Sequence, residues 1–315
     1  MNKRSLDSAK SASLGMTMAK SASLGMTMPK RSRIRRVVFL GGGRITSALA
    51  AGLRRAGYDE AIVVYDRNPE KLGALRRESR VEIAGKLKSA VARAEMLIVA
   101  VRPRSVRGML DEVVASGATP GLCVSLAAGI PLAHLRRGLR EARWVRAMPS
   151  PVCRIARGLT ALCFDRRVTK GERLSVWKFF ARVGQVVEVR EEHVDAFTAT
   201  YSSSHGYHAL ATLAASAQRA GLDRETALIA ASHALADGIE YWRESGLSLD
   251  DLLTEAATPG GIAATTMAAM NRAGYTRAVA EGIQAGVRQA RENAWTSHSE
   301  QNLKPRRTQR LRRGR

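Results

Sequence analysis

Cysteine is scarce in this chain of 315 residues. Cys123, Cys153 and Cys163 are widely spaced and odd in number, and no C-x-x-C is present. This excludes a zinc cage of the usual spacing and a disulfide framework, and it fits a reducing, cytoplasmic compartment. Long apolar runs are missing too. None approaches the ~20 residues that cross a bilayer, so no membrane partner is expected. His, Cys, Asp and Glu form no cluster with metal-ligand spacing, and no metal site is expected. His134, His193, His233 and His298 stand alone. Ser202–Ser204 lack a nucleophile elbow, which sets hydrolase chemistry aside. Acids are few: 28 Asp and Glu face 51 Lys and Arg, for a net charge of +23. The excess sits at the ends. Residues 1–36 carry nine basic residues against Asp7, and residues 304–315 carry seven with no acid, leaving about +8 on the body. The tails read as solvated segments that meet nucleic acid or anionic surfaces non-specifically, so no specific nucleic-acid partner is expected.

Residues 9–28 hold AKSASLGMTM twice in tandem. Two copies of ten residues are too few for a solenoid, which stacks three or more units. The segment has no apolar core long enough for a secretory signal. It reads as a disordered leader over 1–32, with Met28 or an earlier methionine as the start.

The organising stretch is Ile34 to Leu53, IRRVVFLGGGRITSALAAGL. A short apolar run, Val37–Leu40, meets Gly41-Gly42-Gly43, and an Ala/Leu-rich helical pattern follows. Strand, glycine turn and helix N-terminus form the geometry that cradles a diphosphate. Gly41 permits the turn, and Gly43 lets backbone approach the phosphates because no Cβ intervenes. The third position of G-x-G-x-x-G is Thr46, a bulky choice where helix must pack near strand. Ala61–Tyr65 reads as a second strand ending at Asp66-Arg67, about twenty residues on, as the fingerprint requires. A carboxylate there accepts from a ribose 2′-OH, whereas an arginine clamps a 2′-phosphate. With both present, NAD and NADP stay open. The plainer alternative makes Asp66 the cap of a helix starting near Pro69 and Arg67 a solvated loop residue.

Strand and helix patterns alternate to about residue 165. A helix spans Pro69–Glu78 and a short strand lies near Val81–Ile83. Glu95–Val101 is a buried parallel strand by composition, and Pro103 ends its ladder. Leu122–Leu126 is a strand, followed by a glycine turn and a helix from Pro131. Trp144–Arg146 leads to Met148-Pro149-Ser150-Pro151, and Gly158–Phe164 is a further strand. Gly171–Arg182 is helical and Gln185–Val189 is the last strand. Such units make a mainly parallel sheet with ligands beyond the strand C-termini. That places Gly41–Gly43, Asp66–Arg67, Val101–Arg104, Ala127–Gly129 and Met148–Pro151 on one rim. From Glu192 the chain is helical: about 192–220, 223–246, 248–256, a helix after Pro259-Gly260-Gly261 to Asn271, and 275–293. Several faces of these helices are poor in charge and must pack widely, on one another or on a second subunit.

FLGGGRITSALAAGL, IVAVRPRSV, VSLAAGI, RAMPSP, DAFTATYSSSHGY and EAATPGGIAATTMAAM, in this order, resemble the pyrroline-5-carboxylate reductase family over about 34–293. The resemblance implies an α/β chain: an N-terminal Rossmann-type dinucleotide-binding domain, 33–190, and an all-α C-terminal dimerisation and substrate domain, 191–295, before a basic tail, 296–315. It implies hydride transfer from NADP, with NAD possible, to a cyclic imine, in a homodimer or larger homo-oligomer. Gly41, Gly43, Arg44 and Ile45 then hold the diphosphate, and Asp66 and Arg67 meet the adenosine ribose or its phosphate. Val101, Arg102 and Pro103 flank the ribose and nicotinamide, and Ala127, Ala128 and Gly129 line the nicotinamide pocket. Ser150 replaces the family's asparagine after Met-Pro.

The substrate half departs further. Gly260, Gly261, Ile262 and Ala263 match the family's carboxylate loop, but Ala263 stands where a threonine is common. Thr265 is turned roughly 200° away from Ala263 on a helix. Tyr201-Ser202-Ser203-Ser204-His205-Gly206 stands on Ser-Gly-Ser-Gly-Pro-Ala. Ser203 keeps its hydroxyl, and the side chains of Ser202 and Ser204 reshape the pocket. If a side-chain acid is needed, His205 or His208 is the candidate, because imidazole titrates near neutrality. The plainer alternative makes both satisfied polar residues at a helix packing surface. Three functions follow: a pyrroline-5-carboxylate reductase with an altered pocket, a related reductase of another imine or carbonyl compound, and a non-catalytic dinucleotide-binding protein.

Overall fold

The computed structural model describes residues 34–299. The expected leader with its repeat, and the basic tail beyond 299, lie outside the described residues. The elements run β1 (Arg36–Leu40), α1 (Arg44–Arg55), β2 (Ala61–Tyr65), α2 (Pro69–Ser79), β3 (Glu82–Ile83), α3 (Leu87–Ala92) and β4 (Met96–Val99). There follow α4 (Pro103–Ala115), β5 (Leu122–Ser125), α5 (Leu132–Gly138), β6 (Arg143–Pro149), β7 (Gly158–Phe164), α6 (Lys170–Ala181) and β8 (Gly184–Glu188). The rest is helical: α7 (Val194–Thr200), α8 (Ser203–Arg219), α9 (Arg224–Ser245), α10 (Leu249–Ala256), α11 (Ile262–Arg272) and α12 (Tyr275–Ser299).

The eight strands form one sheet in the order β3-β2-β1-β4-β5-β6-β7-β8. Neighbours pair in parallel except β6 with β7, which is antiparallel. The first six strands in chain order therefore end on one rim, as the strand pattern predicts. The alternation of side chains along β1 explains the two cores. Val37 and Phe39 face α1, α2 and α6 through Leu49, Leu53, Leu72, Val176 and Phe180. Val38 and Leu40 face α4 and α5 through Val106, Leu110, Leu132 and Leu135. Each side chain of this size contributes about 1.5–3 kcal/mol when taken fully out of water. Local chemistry sets the helix starts. Asn68 caps α2 by accepting from Lys71 N–H at 3.1 Å, with Pro69 in its first turn. Thr169 and Glu172 form a reciprocal capping box on α6.

One helix expected over 192–220 is in fact broken. A 3-10 turn at Glu191–His193 leads into α7, and α8 begins at Ser203. Tyr201 leaves helical geometry at φ −86°, ψ 71° because its hydroxyl is drawn to the start of β7. There Oη accepts from Leu159 N–H at 2.7 Å.

The described chain falls into two compact units. One comprises 34–203 together with 280–299, and the other 204–279. In the first, the C-terminal part of α12 packs closely. A Cβ on Gly129 would stand 1.9 Å from the Ala290 carbonyl oxygen, and Val287 and Ala290 are buried. In the second, burial is slight. Ala214, Ala227 and Ala231 are its buried apolar residues, and α10 and α11 bury none. Leu228, Ile229, Tyr241, Trp242, Leu249, Leu253 and Ile262 are exposed, Ile262 at 88%. Helices with so much exposed apolar surface have an unfilled partner face. Among the described residues no helix is long and apolar enough to cross a membrane.

Candidate functional site

A cleft of about 1240 Å³ opens at the C-terminal ends of β1, β2 and β4. Gly41, Gly43, Arg44, Ile45, Asp66, Arg67, Val101 and Arg102 line it, all residues singled out from the sequence. Pro103 starts α4 just beyond, and Ala128, Gly129 and Ser150 are not among its lining residues. Arg104, expected on this rim, joins it, and so do Lys71, Ser105, Arg107 and Asp111, which were not expected. Their α2 and α4 positions follow from helix packing against the sheet, which local sequence does not reveal.

The glycine turn is built residue by residue. Gly41 sits at φ +111° and donates its N–H to Tyr65 O at 2.8 Å. A Cβ there would stand 2.6 Å from the Ala100 carbonyl oxygen, so β1 and β4 meet at the rim only through glycine. Gly43 caps α1 in extended backbone, with no atom within 4 Å of the space a Cβ would occupy. That space is part of the cleft. The first N–H groups of α1 lack intrahelical partners, and no acid lies in the first turn, so the helix presents its positive end there. These features fit a dinucleotide diphosphate.

Thr46 does not crowd the turn as its bulk suggests. It is fully buried and its Oγ1 donates to Gly41 O at 2.6 Å, tying the helix to the turn it follows. The close approach of α1 occurs six residues later, at Gly52. A Cβ there would lie 1.9 Å from the Cys153 carbonyl oxygen. The glycine within an Ala/Leu helix was the available signal, and it went unused.

Asp66 is a scaffold for the loop. Its Oδ2 accepts from Gly42 N–H at 2.6 Å and its Oδ1 from Asn68 N–H at 2.8 Å. Asn68, not Asp66, caps α2. Arg67 is not simply solvated: it pairs with Glu112 of α4. Arg44, Arg67, Lys71, Arg102, Arg104 and Arg107 give the cleft a cationic lining, against Asp66 and Asp111.

Farther along the rim, Ser150 is buried and caps the 3-10 turn Pro151–Ile155. Its Oγ accepts from Val152 N–H at 3.3 Å and donates to Tyr201 Oη at 3.1 Å. Ser150 thus ties the 3-10 turn to Tyr201. Gly129 likewise abuts Ala290 of α12, and a side chain there would meet helix backbone. Tyr201 was passed over in the sequence, although its place on a family serine marked it. A second anchor holds α7. Arg146 of β6, only 2% exposed, donates to Asp195 Oδ1 at 2.9 Å and lies 3.7 Å from Glu191 Oε1. Glu191 in turn accepts from Leu132 N–H at 2.5 Å, at the start of α5.

Ser203 is the first residue of α8, and His205 and His208 follow on the same helix. In the helical unit, Gly260 adopts φ +76° and Gly261 caps α11. Ile262 and Ala263 open that helix, with no acid in its first turn. Thr265 lies two residues beyond Ala263, turned roughly 200° from it on the helix, and its Oγ1 donates to Gly261 O at 3.0 Å. Among the described residues no three His, Cys, Asp or Glu side chains gather as metal ligands. Burial pushes the Cys163 thiol up to about 11 and Cys153 to about 12, and raises Cys123 as well. All three are protonated at neutral pH and make poor nucleophiles.

Comparison with known proteins agrees with this layout. Residues 36–129 match the family model described as NADP oxidoreductase coenzyme F420-dependent. Residues 191–293 match the one described as pyrroline-5-carboxylate reductase dimerisation. A pyrroline-5-carboxylate reductase of Synechocystis sp. is 28% identical over 260 residues, 80% of this chain and 96% of the relative. One of Mycobacterium tuberculosis is 29% identical over 277 residues, 79% of this chain and 94% of that protein. Among solved structures, the Plasmodium falciparum pyrroline carboxylate reductase with NADP bound shares the fold at TM-score 0.75. It is 19% identical, and the match covers 84% of this chain and 99% of that one. With a cleft lined by a glycine turn at the strand ends, a helical unit matched to a dimerisation model and relatives matched along their length, the chain is similar over about 80% of its length to pyrroline-5-carboxylate reductases.

Proposed function

We propose that this protein reduces 1-pyrroline-5-carboxylate to L-proline with NAD(P)H. The observation that carries the reading is the glycine-lined, cationic cleft joined in one chain to a helical unit matched to the dimerisation model of this family. A bound nicotinamide supplies the hydride. Gly41, Gly43, Arg44 and Ile45 hold the diphosphate, and Val101, Arg102, Pro103, Ala128 and Gly129 shape the nicotinamide end. The N–H groups of Gly260, Gly261, Ile262 and Ala263 at the start of α11 hold the substrate carboxylate. Ser203 and His205 are the groups we assign to the imine nitrogen, His205 as its proton donor. Residues 33–190 serve as the nucleotide domain and 191–295 as the dimerisation and substrate domain.

NADPH is the cofactor we favour. Arg67 and Lys71 stand by the end of β2, and both Asp66 oxygens already accept backbone N–H groups. Purified protein is expected to oxidise NADPH with pyrroline-5-carboxylate, faster than NADH, with proline as product. Stopped-time amino-acid analysis checks the product. Turnover confined to other imines or to ketones would support the second reading, a related reductase. That reading has its own observation: Ala263 carries no hydroxyl at the head of α11.

The uncovered apolar surface of α9, α10 and α11 fits a second copy of this chain, so we expect a homodimer or an assembly of dimers. Sedimentation at micromolar concentration checks it, and a monomer there would overturn it.

A further inference from the structure

Two side chains from different elements meet at the nucleotide cleft. Arg67 follows β2, and its guanidinium donates to Oε1 of Glu112 on α4, 45 residues away in sequence. Both are solvent-accessible, at 70% and 37% of their side-chain surface, so the pair is not locked by burial. Arg67 lines the cleft, as do Gly108 and Asp111 of the helix that carries Glu112. Its neighbours are held differently. Arg107 pairs with Asp111 along α4 at 3.0 Å, and Asp66 accepts two backbone N–H groups.

We infer that Glu112 is a built-in competitor for the adenosine 2′-phosphate. Its carboxylate occupies the Arg67 guanidinium and thereby sets how strongly NADPH is preferred over NADH. This rests on the reductase reading and deepens it. A guanidinium fork takes a carboxylate or a phosphate in the same way. A phosphate reaching Arg67 competes with Glu112 for the Nη2 donor, and the carboxylate repels it from nearby. An exposed ion pair is weak, so Glu112 tunes affinity without blocking it. A cofactor lacking the 2′-phosphate leaves the pair intact. Glu112 therefore acts against one cofactor and not the other.

The test uses full-length protein, wild type and Glu112→Gln, in calorimetry at low salt. The probes are adenosine 2′,5′-bisphosphate and adenosine 5′-monophosphate, which differ only in the 2′-phosphate, followed by NADPH and NADH. In Glu112→Gln the bisphosphate and NADPH are expected to bind about three- to tenfold tighter, the scale of an exposed pair plus relieved repulsion. The monophosphate and NADH are expected to stay unchanged, and the gain to shrink in about 0.5 M salt. Arg67→Ala is expected to abolish the gain when combined with Glu112→Gln. Equal shifts for both probes, or none, would overturn the inference. If wild-type protein bound neither NADPH nor NADH, the dinucleotide reading itself would fall, a result readily told apart from the first.

Discussion

Gly43→Ala is expected to leave the thermal midpoint of the protein unchanged and to weaken NADPH binding about 100-fold. The backbone of Gly43 is extended at φ −80°, ψ −174°, which alanine adopts without strain. Its Cβ would touch nothing within 4 Å, so folding loses no contact and meets no clash. The methyl would instead project into the cleft at the head of α1, where the diphosphate must come close to backbone. Gly41→Ala behaves differently. It imposes a left-handed conformation on alanine and drives a Cβ to 2.6 Å from the Ala100 carbonyl oxygen. We expect it to cost about 3 kcal/mol of stability as well as nucleotide binding. Thermal melts and calorimetry on the two variants separate the roles: one glycine makes the turn, the other makes room. Unchanged NADPH affinity in folded Gly43→Ala would remove the diphosphate from this site.

Arg146→Ala is expected to lower stability by about 2–4 kcal/mol, the cost of stripping the buried partner from an ion pair whose carboxylates keep some contact with water. For a protein of this size that corresponds to a fall of roughly 10 °C in Tm. The guanidinium is almost wholly enclosed and faces Asp195 at 2.9 Å. Without it, Asp195 and Glu191 repel each other beside an empty space, and the start of α7 loses its tie to β6. Arg146→Met combined with Asp195→Leu is expected to recover most of the loss, because apolar groups of similar volume can replace such a pair. Hydrogen exchange gives the local readout. Amides of Val194–Tyr201 should lose protection in the single variant and regain it in the double. A single variant with native stability would show that the Tyr201 hydroxyl alone anchors this helix.

The sheet was legible because its signals are local. Ala61–Tyr65 and Gly158–Phe164 are β-branched or apolar runs bounded by turn residues, and they form strands over those same residues. The glycine turn could be read for the same reason. The break at Tyr201 could not. Nothing in Thr-Tyr-Ser-Ser-Ser forbids a helix; the break depends on the N–H of Leu159, 42 residues earlier. Thr46 was misjudged by size, since its hydroxyl, not its volume, decides how it fits. Ala128, Gly129 and Ser150 were placed at the nucleotide by the resemblance, and the sequence did not show what else packs beside them. Gly129 is set against α12, some 160 residues on, and Ser150 against Tyr201. Strand order tells which residues reach the rim, not what else arrives there.

The return of α12 bears on how this chain can be divided. Val287 and Ala290 belong to the packing of the first unit, although 76 residues of the second intervene. The helical bundle is thus spliced into its host and not appended to it. A stub ending at residue 203 would bare the apolar floor beneath Gly129. A faithful minimal nucleotide-binding fragment would excise 204–279 and rejoin the flanks through a short linker.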